Sequence, residues 1–260
     1  MRSREPAICL RTTDYSETSQ VVHFLTRQTG VVRLLAKGTK RPKSKSGGAI
    51  DLLSEGDLLF SAKDAETLGV LMEFSETSSH TALRRDAKRL NTALYMLELV
   101  HEMLAEGDPH PAVFDLLHRA LQRLGQEDAP VPAVLAYFQW RLLRHVGLLG
   151  GLDACVSCGL CVGEMSDRAG VYFSSRLGGL LCDGCEGSQR EKFHLEPATL
   201  EALATLAVAE VGRRVSLPDP PARSVNRLLG YHIAQQLGKR LKMARHVLGE
   251  LGDGLFSNDV

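Results

Sequence analysis

In the N-terminal part of the chain, hydrophobic positions come in short alternating or continuous runs, the periodicity of strands. The runs cover 7–13, 20–26, 31–37, 57–63 and 68–74. Between them stand Asp14-Tyr15-Ser16, Thr29-Gly30, the polar stretch 38–48 and Asp64-Ala65-Glu66, all rich in turn formers. Five short strands predict a small barrel, and the OB-fold is the commonest five-stranded form. An SH3-like barrel is the alternative.

From Thr81 the period becomes helical. Leu83, Leu90, Leu94, Leu97 and Leu104 recur at threes and fours, and Met96, Val100 and Met103 widen the stripe, so this helix should be buried on much of its girth up to Gly107. Asp108 offers an N-cap with Pro109 at the first helical position, ahead of Val113, Leu116, Leu117, Ala120, Leu121 and Leu124. A third helix follows Val131-Pro132, with Val134, Leu135, Phe138, Leu142 and Val146 inward and Arg141, Arg144 and His145 on the other side. Pro197 opens a fourth through Leu200, Leu203, Leu206 and Val211. Asp219-Pro220-Pro221 opens a fifth through Val225, Leu228, Leu229 and Ile233. The predicted class is α+β multidomain: a five-stranded OB-fold barrel over 1–79, then a mainly α-helical domain over 80–260, interrupted by a zinc-ribbon-like insertion at 152–188. Helices on both sides of that insertion need a common core, which makes the ribbon an outgrowth of one domain.

The insertion is marked by its cysteines. Cys155 and Cys158 form one CxxC, Cys182 and Cys185 a second, and 159–181 lies between them. Two residues between ligands let one knuckle aim two thiolates at a single ion, and two facing knuckles complete the tetrahedron that zinc prefers. Val171, Tyr172 and Phe173 read as a strand, and 177–181 as a turn into a return strand. Cys161 could replace Cys158, since those two also make a CxxC. Two disulfides or a redox CxxC form the competing reading, against which stand the absence of a secretion signal and the pairing of the motifs. Four thiolates leave no open coordination position, so one zinc ion is expected to build structure and not to activate water.

The chain is 44% hydrophobic and 24% charged, with no apolar run near the about 20 residues of a membrane span, which predicts a cytoplasmic protein. Its formal net charge is zero, yet the charges are segregated. No acid occurs from Thr18 to Ile50, which holds Arg33, Lys37, Lys40, Arg41, Lys43 and Lys45. None occurs from Pro220 to Gly249, which holds Arg223, Arg227, Lys239, Arg240, Lys242 and Arg245. The loop 38–48 is a flexible comb for phosphates, or in the plainer reading a solvated linker; a second acid-free tract favours the comb. Aromatics are only 5%, and the barrel offers Tyr15, Phe24, Phe60 and Phe74, most of them core candidates, so binding should be mainly electrostatic and indifferent to sequence.

Catalytic motifs are missing. There is no GxxxxGK[ST], HExxH, GxSxG or GxGxxG, and His194-Leu195-Glu196 follows the CxxC pairs, the wrong order for a zinc deaminase. Nothing here predicts an enzyme or a nucleotide site.

Ala7-Ile8-Cys9-Leu10, then 14–19 (DYSETS), Phe24-Leu25-Thr26, Gly30 and Ala36-Lys37-Gly38 resemble the N-terminal barrel of the RecO family of bacterial recombination mediators. Cys158-Gly159, Gly179-Leu180-Leu181-Cys182 and the basic C-terminal helices continue the likeness. The resemblance implies an OB-fold, a helical bundle and a zinc-binding insertion. It further implies binding of single- and double-stranded DNA, annealing of complementary strands, partnership with RecR, and contact with the acidic C-terminal tail of single-strand-binding protein while recombinase is loaded. A groove near Arg141 or Arg144 is the expected seat of that tail. A zinc-braced helix-turn-helix transcription regulator and a protein-only interaction adaptor are the alternative functions.

Overall fold

The computed structural model describes residues 2–41, 48–63, 67–166, 170–209 and 215–249. Lys43 and Lys45 lie outside the described residues. By its internal contacts the chain groups into two units, Met1–Ala129 and Pro130–Val260.

The first unit is built on five strands, β1 (Arg2–Asp14), β2 (Gln20–Thr26), β3 (Gly30–Ala36), β4 (Glu55–Ser61) and β5 (Gly69–Ser78). Alternate residues point inward, so Ala7 and Cys9, Val22 and Phe24, Val32, Leu34 and Ala36, and Leu58 and Phe60 fill one apolar interior, joined by Leu71 and Phe74, which a register shift against β4 brings to the same side. Strand order is β1-β2-β3-β5-β4, and β4 pairs back onto β1. The thinnest seam is β3–β5, a parallel contact of Leu34 with Gly69 and Leu35 with Val70. This is OB-fold order with its partly open seam, and the SH3-like alternative falls. Buried Glu5 closes the β2–β3 turn by accepting from the backbone N–H of Gln28 (2.6 Å) and Thr29 (3.2 Å) and from the Thr29 hydroxyl (2.6 Å).

The helical stretch expected from Thr81 is two pieces. A 3₁₀ turn (Thr81–Arg85) stops at Asp86, which is extended (φ −135°, ψ 114°) and accepts from the N–H of Lys88 and Arg89, capping α1 (Ala87–Met103). The second helix, α2 (Pro111–Leu124), starts at Pro111 and not at Pro109. His110 precedes a proline and is therefore pushed out of the helical region (φ −128°, ψ 70°), so no helix can run through it, and Asp108 is not the cap. α1 packs on β1, and α2 on α1 and β2. A bidentate Arg27–Asp115 pair (3.0 and 3.1 Å) adds a polar tie to α2, and the Glu55 carboxylate meets His80 Nε2 at 3.0 Å and His118 Nδ1. These helices thus group with the barrel.

The second unit comprises α3 (Val131–His145), α4 (Val162–Ser166), β6 (Val171–Ser174), β7 (Gly179–Cys182), α5 (Asp183–Glu186), β8 (Phe193–Leu195), α6 (Pro197–Val208), α7 (Asp219–Leu237) and α8 (Ala244–Leu248). α3, before the cysteine segment, packs against α7, after it. In that buried contact the Gln139 side-chain amide donates to Asn226 Oδ1, and Asn226 Nδ2 donates to the Pro132 carbonyl, both at 2.8 Å. The ribbon sheet has three strands in the order β7-β6-β8, one more than the expected hairpin.

Nor is the ribbon a mere outgrowth, because its β6–β7 turn is fastened to α7. Ser175 Oγ lies 2.7 Å from His232 Nδ1, His232 Nε2 lies 2.7 Å from the Leu148 carbonyl, and Gln236 donates to the Ser175 carbonyl. A carbonyl only accepts, so Nε2 carries the proton and Nδ1 receives the serine O–H. Glu191 caps the same turn through the N–H groups of Ser175 and Arg176. Among the described residues no helix is long and apolar enough to cross a membrane.

Candidate functional site

Two features carry chemistry: the thiol cluster of the second unit and the cations of both. In the first knuckle, Cys155 N–H donates to the Leu160 carbonyl (2.8 Å) and Gly159 N–H to the Cys155 carbonyl (2.8 Å). The turn needs Gly159 at φ +77°, a conformation glycine takes at no steric cost. Val156 N–H donates to the Leu180 carbonyl, which leans this knuckle on β7. The second knuckle is the end of β7 itself, Cys182, leading into α5, which carries Cys185.

The result is a set of four sulfurs, from Cys155, Cys158, Cys182 and Cys185, all within 4.8 Å of one another, with Cys158 and Cys182 at 3.7 Å. Cys161, exposed at the start of α4, lies outside this set, and Cys9 is buried in the barrel. Burial pushes the Cys155 thiol up, but backbone hydrogen bonds from Cys182, Cys158 and Ser157 outweigh it and bring the group down to about 6. Hydrogen bonds to Cys158 and Cys182 push Cys185 up to about 12. Neighbouring thiols cannot all ionise together without a cation between them, and a divalent metal removes that penalty by replacing their protons. Four convergent soft donors on two tight turns can hold one metal ion in tetrahedral geometry.

The cations of the first unit leave β3. Lys37 is exposed directly after the strand, and Arg41 is exposed on the turn closed by its N–H to the Gly38 carbonyl. Lys40 is half-buried and paired with Asp14 at 2.5 Å. Arg33 is half-buried within β3, cross-strand from His23. It lines a cavity of about 170 Å³ with Thr29, Phe60, Lys63 and Thr67. His23 in turn sits 3.1 Å from His101 of α1, and burial with the nearby His101, Arg11 and Arg33 brings its imidazole down to about 4. Arg33 thus belongs to a polar row near α1, apart from the exposed loop cations.

In the second unit Arg223 and Arg227 are exposed one turn apart on α7, and Arg223 donates from both Nε and Nη2 to the one oxygen Asp219 Oδ2 (3.1 and 2.9 Å). Lys239 and Arg240 follow the left-handed cap Gly238, and Lys242 and Arg245 are exposed after them. Arg141 lies over the Tyr137 ring at 5.3 Å and also reaches the Ala209 carbonyl, while exposed Arg144 donates to the Gly150 carbonyl at 3.1 Å. The two acid-free tracts therefore fall in different units, and each meets an aspartate just outside the tract. Sequence reasoning missed β8 and the fastening residues Glu191 and His232; His232 had one signal, its polarity among apolar neighbours, and Glu191, between Arg190 and Lys192, had none.

Comparison with known proteins bears on what such an arrangement belongs to. Residues 1–79 match the family model described as Recombination protein O N terminal, and residues 84–245 the one described as Recombination protein O C terminal. Relatives called DNA repair protein RecO include one from Anaeromyxobacter dehalogenans, 35% identical with 96% of this chain and 97% of the relative covered. One from Myxococcus xanthus is 31% identical (93% and 95% covered), and one from Symbiobacterium thermophilum 30% (90% and 92%). With both halves matched and relatives of this likeness aligned along nearly their whole length, the chain belongs to the RecO family of DNA repair and recombination proteins.

Proposed function

We propose that this chain is a non-catalytic recombination mediator. It binds single- and double-stranded DNA largely without sequence preference and anneals complementary strands. With RecR, and through the acidic tail of single-strand-binding protein, it helps load recombinase onto covered DNA in the cytoplasm. The observation that carries this reading is the family match over both units of a chain whose N-terminal unit is an OB-fold.

The physics needs no hydrolysis. Annealing is limited by repulsion between two polyanions and by whatever covers their bases, and cations that hold backbones leave the bases available to pair. Lys37, Lys40, Arg41, Lys43 and Lys45 hold phosphates at the barrel, and Arg223, Arg227, Lys239, Arg240, Lys242 and Arg245 do so in the second unit. The bound metal is zinc, held by Cys155, Cys158, Cys182 and Cys185, and it supplies folding free energy to the ribbon. The acidic tail docks near exposed Arg144.

The test is annealing of complementary strands coated with single-strand-binding protein, with and without nucleotide. Annealing independent of nucleotide is expected. Affinity for a random single strand should fall with salt along a log-log slope of about −3.5, from about five neutralised phosphates. Strong preference for one duplex sequence would make the chain a transcription regulator, and absence of any salt-dependent DNA binding would leave a protein adaptor.

A further inference from the structure

A barrel that binds strands by phosphate contacts alone has no purchase on bases, and most of its aromatics are in no position to give one. Phe24, Phe60 and Phe74 are 0%, 2% and 3% exposed, all spent on the core. Tyr15 is 65% exposed, the one exposed Phe, Tyr or Trp among the described residues. A single exposed ring is ordinary by itself. Its placement is what distinguishes it.

Tyr15 opens the β1–β2 loop, whose backbone is fixed by hydrogen bonds of its own: Tyr15 N–H and Ser16 N–H both donate to the Ser19 carbonyl, at 3.0 and 3.2 Å. The loop is sewn to the cationic segment that follows β3. Gly38 N–H donates to Ser19 Oγ (3.3 Å), Lys40 N–H donates to the Thr18 carbonyl (3.2 Å), and Lys40 Nζ reaches Asp14, the residue before the tyrosine. The ring and the cations thus stand at one end of the barrel on a shared scaffold. Asp14 and Glu17 make the loop itself unsuited to phosphate, so what it can add is a surface for a base. In an OB-fold the β1–β2 loop is one of the two that flank the nucleic-acid-binding face.

We propose that Tyr15 stacks on a nucleobase of single-stranded DNA whose phosphates are held by the Lys37–Arg41 segment. This rests on the DNA-binding reading above. A phenol ring serves any base, because every base has a π face, so the contact adds grip without sequence preference. It also puts one aromatic where bases are presented for pairing, in a chain otherwise poor in them.

The test uses the full zinc-loaded chain and two labelled strands of equal length, oligothymidylate and an abasic deoxyribose-phosphate oligomer. Tyr15→Ala should weaken oligothymidylate about fivefold or more, leave the abasic strand and the salt slope unchanged, and keep the melting temperature. Tyr15→Phe should restore wild-type affinity, and Tyr15→Trp should give fluorescence quenched by oligothymidylate and not by the abasic strand. Equal weakening of both strands, or of neither, overturns the stacking role while leaving DNA binding intact. Loss of affinity for a protein partner, with both strands bound as before, makes the ring a docking residue and overturns it too. A wild-type chain that binds neither strand overturns the mediator reading along with it.

Discussion

Replacing His232 with phenylalanine tests whether the ribbon is structurally part of the second unit. The ring is 0% exposed and edge-on to Phe173 at 5.4 Å, a contact phenylalanine can keep. What it cannot keep are the hydrogen bonds to Ser175 and to the Leu148 carbonyl. An orphaned buried polar group costs about 1–3 kcal/mol; Ser175 is fully buried and Leu148 only half, so the sum should be about 2–4 kcal/mol. Ser175→Ala should cost about 1–2 kcal/mol by leaving Nδ1 unpaired, and the double variant should fall short of the sum by about 1 kcal/mol. Urea unfolding can be followed through Trp140, the chain's one tryptophan, buried in α3 of the same unit. Acidity supplies a second readout. Burial holds the His232 imidazole below its ordinary value, only partly offset by its bond to Leu148 and by Glu191, so the native ring is neutral. The unfolded chain takes up the proton below about pH 6.5. Stability therefore falls as pH drops from about 6.5 toward the depressed native value, and His232→Phe should flatten that fall. A cost below about 0.5 kcal/mol, additive behaviour with Ser175→Ala, or an unchanged acid slope would refute the fastening.

Cys158→Ser should abolish stoichiometric zinc by elemental analysis and loosen the ribbon, whereas Cys161→Ser should retain one zinc; the reverse result would exchange their roles. Gly30→Ala should destabilise the barrel by about 3 kcal/mol in thermal melts, because an added Cβ would lie 2.1 Å from the Asp108 carbonyl oxygen at φ +83°. Charge reversal at Lys40 and Arg41 should lower DNA affinity and annealing rate with the melting temperature within a degree or two. Asp14→Asn, by releasing Lys40, should raise affinity about two- to fivefold, as befits a surface pair worth up to about 1 kcal/mol.

The barrel was legible because short apolar runs with turn formers between them mark all five strands, although register shifts in β1 and between β4 and β5 break strict alternation, and the strand order that excludes the SH3-like alternative came only from the pairing in space. The thiol cluster was legible because CxxC spacing encodes its own geometry. Other features depend on neighbours in space. β8, Phe193–Leu195, is a strand only because β6 offers it a ladder, and no local pattern announces it. Asp108-Pro109 carries a good helix-start signal that a second proline two residues later overrides through His110. The run from Thr81 looked unbroken because Asp86 reads as one more polar residue on a stripe, although its side chain is what restarts the helix.

The same distinction governs the charges. An acid-free run along the chain is not an acid-free surface, since each tract is met by an aspartate from just beyond it: Asp14 reaches Lys40 because β1 and the segment after β3 end together, and Asp219 reaches Arg223 because they are one helical turn apart. Such pairs lower the field at low salt and give way to a phosphate for little, since exposed pairs contribute at most about 1 kcal/mol. Binding at the barrel should then exchange a carboxylate for a phosphate at Lys40 while releasing counterions elsewhere. Because that ammonium carries its own internal anion, its share of the salt dependence is smaller than that of Lys37 or Arg41. Lys40→Ala should accordingly change affinity with less change in the salt slope than Lys37→Ala, and equal slopes for the two variants would mean that Asp14 does not shield Lys40 in the unbound protein.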